Sequence, residues 1–266
     1  MAVVHTNERR VQAHDYPVRA IYLHDLRIAL GQGWQDFLAK RGDLIFLGLA
    51  YPVVVVLAAA LVMNASILPL VFPLVAGSVI FGPVIASGYY ELARRRELGQ
   101  DSRWRHFFDV LRGPVAIPLA GLTGMTVLVF ALWVVAAWFI YGPTVGALVP
   151  EGFASAQQFL RTVFATPQGW TMIVVGNVVG LAFAILALAI SMVSFPMVVD
   201  KRVEPAVAVR TSIRVVRKNP VTSAIWGLII VALSLVGAAF ALVGLAVVFP
   251  VLGYATWHLY TRAVVR

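Results

Sequence analysis

Cysteine is absent from the 266-residue chain, and charged side chains make up only 12% of it. The first absence excludes disulfides, thiolate catalysis and cysteine-based metal sites. The second leaves the chain with far less charge than the roughly 25% of an average soluble domain. With 61% hydrophobic residues and a mean hydropathy of +0.87, most of it is expected in lipid. Acids are the scarcer sign, 12 Asp and Glu against 21 Lys and Arg, for a formal net charge of +9. A basic balance can mark nucleic-acid binding. Here the cations lie in short stretches between apolar runs, the pattern of membrane topology, and no nucleic-acid partner is expected. Also missing are a P-loop, a GxSxG elbow and an HExxH pair. The first forty-odd residues are too polar to hold a secretory signal core, so targeting falls to the first spanning helix.

What remains is long apolar runs. A helix crossing the hydrocarbon needs about 20 mostly apolar residues, and residues 44–63, 67–90, 115–141 and 170–199 each supply them. The run 221–260 is too long for one span and is expected to fold back near Gly237–Gly244, giving six spans in all. Lys and Arg number six in 1–43, six in 91–112, six in 199–219 and two after Tyr260, with Arg161 alone elsewhere. Six spans put every rich stretch on one side, which the positive-inside rule makes cytoplasmic together with both termini.

The fold class expected is therefore all-α integral membrane: a segment 1–24, then a six-span domain over 25–266. Three stretches that lead into spans look alike: "GWQDFLAKRGDLIFLGL", "RWRHFFDVLRGPVAIPL" and "SIRVVRKNPVTSAIWGL". Leu26, Leu30, Trp34, Phe37 and Leu38 share one helix face, as do Trp104, Phe107, Phe108 and Leu111. The chain thus reads as three parallel units, 25–96, 102–202 and 205–262, each an interfacial helix followed by a helical hairpin. The competing reading is that any hairpin starting at a basic interface looks like this. In the third unit Val209, Ile213 and Val216 form an apolar stripe beside Arg210, Arg214 and Arg217. Those arginines are expected to meet anionic headgroups on the cytoplasmic side or to contact a partner. The alternative is that these helices pack on the ends of the bundle.

No acidic or basic side chain falls near an expected bilayer midplane, where an ionisable group usually marks function. Glu91 and Asp200 lie at span ends, and Asp43 at the start of the first. The histidines, His5, His14, His24, His106 and His258, are all in cytoplasmic segments or at that interface, so none is placed as a haem ligand. Met192 and Met197 read as packing residues. Neither metal nor cofactor is expected. Inside the spans the most specific feature is "VVGNVVGLAFA". Gly176 and Gly180 form GxxxG around Asn177, the one deep amide, and are helix-packing candidates; a dimer seam and a polar substrate path are the other readings of these residues. Pro73, Pro83, Pro118 and Pro196 imply kinks. Phe159, Leu160, Val163 and Phe164, in the loop 142–169, are expected to lie flat on the outer surface. Near the ends of spans, Tyr89, Tyr90, Trp257, His258 and Tyr260 read as interfacial anchors of an aromatic belt. His258 is expected to make an interfacial hydrogen bond.

Four stretches, "FPLVAGSVIFGPVIASGYYELARRRELG", "TPQGWTMIVVGNVVGLAFA", "SFPMVVDKRV" and "FPVLGYATWHLY", resemble a bacterial family of integral membrane proteins, the domain of unknown function 2189. The resemblance covers nearly the whole chain after Val18. It implies a multi-span protein of the bacterial inner membrane without an established activity. Some relatives carry a label linking them to cytochrome c oxidase subunit I, which needs buried span histidines that this chain lacks.

Three functions are weighed on these residues. The first is a non-catalytic accessory subunit or assembly factor, not an enzyme, working through contacts with other membrane subunits, a respiratory complex among them. The second is a transporter or channel for a small neutral or lipidic solute, its path lined by Asn177, Thr123, Thr126, Ser191 and Ser194. The third, a lipid-modifying enzyme, requires His106, His258 and an acid such as Glu91 or Asp109 to converge.

Overall fold

A computed structural model of the chain describes residues 16–39, 79–240 and 244–266, together with residues 69, 72–74 and 77. The described residues are almost entirely helical. In chain order they form α1 (23–39), α2 (Gly82–Glu97), α3 (Ala116–Tyr141), α4 (Ala156–Ala165) and α5 (Pro167–Ser191), then α6 (Ser194–Lys201), α7 (Pro205–Lys218), α8 (Pro220–Ala239) and α9 (Leu245–Ala263). A 3₁₀ segment, Trp104–Leu111, links α2 to α3.

Among the described residues, four helical stretches are long and apolar enough to cross a membrane: Phe72–Glu97, Gly113–Gly146, Pro167–Lys201 and Pro220–Ala239. They coincide with the second to fifth expected spans. The first expected span, 44–63, lies outside the described residues. The sixth corresponds to α9, which is not among the four, because its second half carries Tyr254, Thr256, Trp257, His258, Tyr260 and Arg262. The reversal before α9 falls where the two glycines permit it. α8 ends at Ala239, α9 begins at Leu245, and a Cβ on Gly244 would stand 2.7 Å from the Gly237 carbonyl oxygen.

Burial is uneven along the molecule, and the physics of the two solvents explains why. Near the charged ends of the helices a dense core gathers Leu26, Phe37, Tyr90, Leu92, Phe195, Met197, Val215, Trp226 and Trp257. Away from that end, α3, α5 and α8 present Leu128, Phe139, Val178, Leu181, Leu228 and Leu235 outward. In α5 only Gly169 is buried. Lipid tails are as apolar as leucine, so nothing drives those faces together. Where water is the alternative, each fully buried large apolar side chain contributes about 1.5–3 kcal/mol. The basic end is therefore the packed base of the molecule, and the apolar helices rise from it.

Local chemistry sets the breaks. Pro196 cannot donate to the carbonyl of Met192 and its ring crowds that turn; the span read as 170–199 accordingly breaks at Met192–Val193 into α5 and α6. Pro83 and Pro118 fall in the first turns of α2 and α3, where proline is tolerated. Pro250 is the proline inside α9.

The three interfacial stretches take different forms. α1 turns Leu26, Ala29 and Phe37 inward and leaves Trp34 and Leu38 exposed. At Gly33 it crosses α9 so closely that a Cβ would meet the Ala255 nitrogen at 2.6 Å and the Val251 oxygen at 2.7 Å. Gly33→Ala is therefore expected to destabilise by about 1–3 kcal/mol, read as a lower thermal midpoint in detergent. Gly31→Ala, which meets open space, should leave that midpoint unchanged or raise it slightly.

The second stretch departs from the helical face read in the sequence. At about three residues per turn, Phe107 and Val110 point one way and Phe108 and Leu111 another. Phe107 lies over Gly88, Val110 is buried, and Trp104, Phe108 and Leu111 are exposed. In α7 the inward face is Ala208, Thr211, Ser212 and Val215, flanked by the half-buried Val209, Ile213 and Val216.

At the far end, α4 is capped by Ser155, whose hydroxyl oxygen accepts from the Gln158 backbone N–H, while the Gln158 side-chain Oε1 accepts from the Ala154 N–H. Val163 packs with Val145 and Phe153, and Leu160 and Phe164 face outward.

Candidate functional site

The charged side chains converge at the packed base, and α2 distributes them. Its last turns read Glu91, Arg94, Arg95, Arg96, Glu97. Spacings of three and four bring Arg94 and Arg95 back over Glu91. The Glu91 carboxylate is buried, with 7% side-chain exposure. Arg94 donates to both of its oxygens, at 2.9 and 2.8 Å, and Arg95 Nε donates at 2.8 Å.

Arg95 extends this network to the 3₁₀ segment. Its Nη2 donates to Asp109 Oδ2 at 2.8 Å, and the same oxygen lies 2.7 Å from His106 Nδ1. The three-residue period that moves Phe107 inward also stacks His106 over Asp109. Asp101 is held by Arg105 at 2.9 Å. Desolvation acts to raise the Asp101 carboxyl, but the Arg103 N–H, the His106 ring and Arg105 outweigh it and hold it below the usual carboxylate range.

Arg96 points the other way, to a second network. It pairs with Asp36 of α1 at 3.0 Å, and the other Asp36 oxygen lies 2.7 Å from His258 Nε2 of α9. Thus His106, Asp109 and Glu91 are joined through Arg95, while His258 belongs to a separate cluster with Asp36 and Arg96. Arg262 of α9 reaches Asp25 of α1 at 3.3 Å. The C-terminal Arg266 pairs with Glu97 at 2.7 Å and stacks 4.9 Å above the Trp257 ring. Among the described residues no group of three or more His, Asp or Glu is arranged to hold a metal ion.

The aromatic anchors sit deeper than a lipid-facing belt. Tyr89, Tyr90, Trp257 and Tyr260 are all buried in the core. For Trp257 and Tyr260 the reason lies in their polar tips. Trp257 Nε1 donates to Glu97 at 3.2 Å and Tyr260 Oη to Asp200 at 2.8 Å, so internal carboxylates replace headgroups as partners.

The GxxxG residues divide. Gly180 seats the Trp133 ring of α3, 3.1 Å from where a Cβ would be, whereas Gly176 meets open space. Asn177 is exposed, and its amide donates to the Ile173 carbonyl one turn back, at 2.7 Å. The span hydroxyls behave similarly: Thr123, Thr126 and Ser191 each donate to the carbonyl four residues earlier. The space beside Thr126 and Ser191 is about 10 Å³, at the threshold for one water. Ser194 Oγ is buried without a partner. On α7, Arg210 and Arg217 are exposed, while Arg214 turns back to the Tyr16 carbonyl at 3.3 Å.

One residue with a large role carries no expectation from the sequence. Asn219, between α7 and α8, accepts from the Ile21 N–H at 2.7 Å and donates to the carbonyls of Arg19 and Val215 at 3.1 and 3.0 Å. Thr222 donates to the Ile21 carbonyl and Lys218 to that of Val18. The segment before α1 is thereby clamped, and Val18 forms an isolated antiparallel bridge with Val264. The Asn-Pro pair at 219–220 was the available signal, since asparagine can hold neighbouring backbone where a helix stops.

A cavity lies between α2, the 3₁₀ segment and the end of α6. Its volume is about 130 Å³, and Arg94, Arg95, Arg112 and Arg202 line it with Glu91 and Asp109.

Residues 71–200 match a family described as "Predicted integral membrane protein (DUF2189)", the family that the sequence resembles. The match takes in α2 to α6 and is narrower than that resemblance, which reached nearly the whole chain. No curated protein and no solved structure matches the chain.

Proposed function

We propose, for a chain whose residues 71–200 carry a predicted integral membrane protein domain, a non-catalytic role as an accessory subunit or assembly factor of a membrane complex. The observation that carries this reading is how the ionisable groups of the base are used. Asp25, Asp36, Glu91, Glu97, Asp109 and Asp200 each hold an arginine, and most of these pairs join two different elements. A general acid or base must face a substrate proton, whereas these carboxylates face the protein's own cations. His106 and His258 likewise face Asp109 and Asp36.

The apolar faces of α3, α5 and α8 offer what an accessory subunit needs, a firm base with open helices. On the α5 face, Gly176 permits close approach, and Asn177 can exchange its own-helix bond for one across an interface. The charge pattern supports a cytoplasmic position for the base, and the resemblance supports a bacterial inner membrane.

The test is purification from native membranes in a mild detergent, followed by native electrophoresis and mass spectrometry of the band. This reading expects the chain in a complex well above its own 28.9 kDa, with the same membrane proteins in each preparation. A chain that always migrates alone, or only with copies of itself, would sink it.

A further inference from the structure

We infer that the cavity at the end of α2 is a binding site for a phosphate group. This does not depend on any protein partner. Four arginines line it against two carboxylates, so the formal charge of the lining is positive. Its volume of about 130 Å³ is well above the roughly 15 Å³ that a single water requires.

The arginines fall into two pairs with different duties. Arg94 and Arg95 are held in place by Glu91 and Asp109; they are positioned before any ligand arrives. Arg112 and Arg202 are exposed, and neither has an acidic partner among the described residues. An anion entering between them would meet two free guanidinium groups, whose planar forks suit phosphate oxygens.

The backbone at both free arginines supports this assignment. Arg202 caps α6 in a left-handed conformation, φ 55°, uncommon for a residue with a side chain. Glycine or asparagine would relax that cap, so what arginine supplies there is its guanidinium. Arg112 directly precedes the turn into α3, and Pro114 and Val115 form part of the cavity wall. The 3₁₀ turn Gly113–Val115 that leads into α3 has neither an acidic residue nor a side-chain cap, so no side chain of that turn competes with an anion for the positive end of the helix dipole.

The surroundings point to where such a phosphate comes from. Trp104, Phe108 and Leu111 are exposed along the neighbouring 3₁₀ segment, apolar side chains suited to the headgroup boundary. A lipid phosphate there would lie level with Arg112. Free phosphate has the same oxygens and can satisfy the same arginines, so the experiment separates the two sources.

The detergent-purified protein is titrated with short-chain phosphatidic acid, with phosphatidylcholine and with inorganic phosphate, reading thermal protection and, for the lipids, retention in native mass spectrometry. Phosphatidic acid is expected to bind more tightly than phosphatidylcholine. The R112Q/R202Q variant should bind it about 30-fold more weakly, each lost arginine contributing at the level seen for cations at anionic surfaces. Both side chains lack acidic partners, so the ligand-free variant should keep its thermal midpoint. R210Q/R217Q, which removes two exposed arginines of α7, should change affinity less than threefold. Inorganic phosphate that protects the protein and displaces phosphatidic acid supports the site with free phosphate as its source. Lipid binding without phosphate competition supports it with a headgroup as its source. The inference is overturned if neither probe binds, if R112Q/R202Q binds as the parent does, or if R210Q/R217Q weakens binding equally.

Discussion

Glu91→Ala is expected to lower the thermal midpoint of the detergent-solubilised protein more than removal of any other single carboxylate. Its side chain is 7% exposed and accepts from two arginines that are themselves only 18% and 21% exposed. Breaking a buried pair by removing one partner costs about 3–5 kcal/mol; the residual water contact of the arginines argues for the lower end, about 3 kcal/mol. Two guanidinium groups would be left facing each other, with Asp109 to hold one of them. Glu91→Gln retains the shape and one acceptor oxygen, which can still serve Arg94 Nη2 and Arg95 Nε, but not the charge, and should lose about half as much. The control is Glu204→Ala, an exposed carboxylate whose side chain makes no cap hydrogen bond; surface substitutions of this kind stay within about 0.5 kcal/mol. Equal midpoints for Glu91→Ala and Glu204→Ala would show that the α2 network does not organise the base.

Asn219→Ala is the second large effect. Asn219 is 6% exposed and its side chain serves backbone groups of the segment before α1 and of α7. Alanine would leave the Ile21 N–H and the Arg19 carbonyl without this partner, at about 1–3 kcal/mol for each group left buried. A loss of about 2–4 kcal/mol follows, with a local signature that a general loss of stability lacks. Amide exchange at Ile21 should accelerate first, because its hydrogen bond is the one removed. The Arg19 N–H, bonded to the Ala263 carbonyl, should follow. Asn177→Ala provides the comparison. That amide is exposed and bonds only within its own helix, so the substitution should alter the stability of the isolated chain by less than about 0.5 kcal/mol. If the two asparagines prove equal, the clamp is not what holds the N-terminal segment.

These two asparagines show how much of the site was legible beforehand. Depth in an apolar run singled out Asn177, because one amide among valines and leucines stands out in a linear pattern. Asn219 sits in a polar junction where asparagine is ordinary, and its importance comes from residues 198 and 200 positions away. The histidines behaved in the same manner. Chain position placed His258 near the end of an apolar run; its partner Asp36, 222 residues earlier, carries no mark in the sequence. The cavity arginines were legible only as members of basic loops; helical spacing singled out Arg210 and Arg217 and left Arg112 and Arg202 unmarked.

The helices themselves could be read from the linear order of residues. Apolar runs of span length, their breaks at Pro196 and between Gly237 and Gly244, and the grouping of cations at one end are local quantities. Hydrophobicity and backbone restriction act residue by residue, and they need no neighbour from elsewhere in the chain. Which aromatic turns inward, which arginine is neutralised and which is left for a ligand are settled by tertiary packing. Tyr260 is buried with its hydroxyl donating a hydrogen bond to Asp200, and Arg95, already beside Glu91 on its own helix, gains a second carboxylate because the 3₁₀ segment brings Asp109 to 2.8 Å. Electrostatic and hydrogen-bond energies depend on distance in space and on exclusion of water, and both are set only when the helices come together.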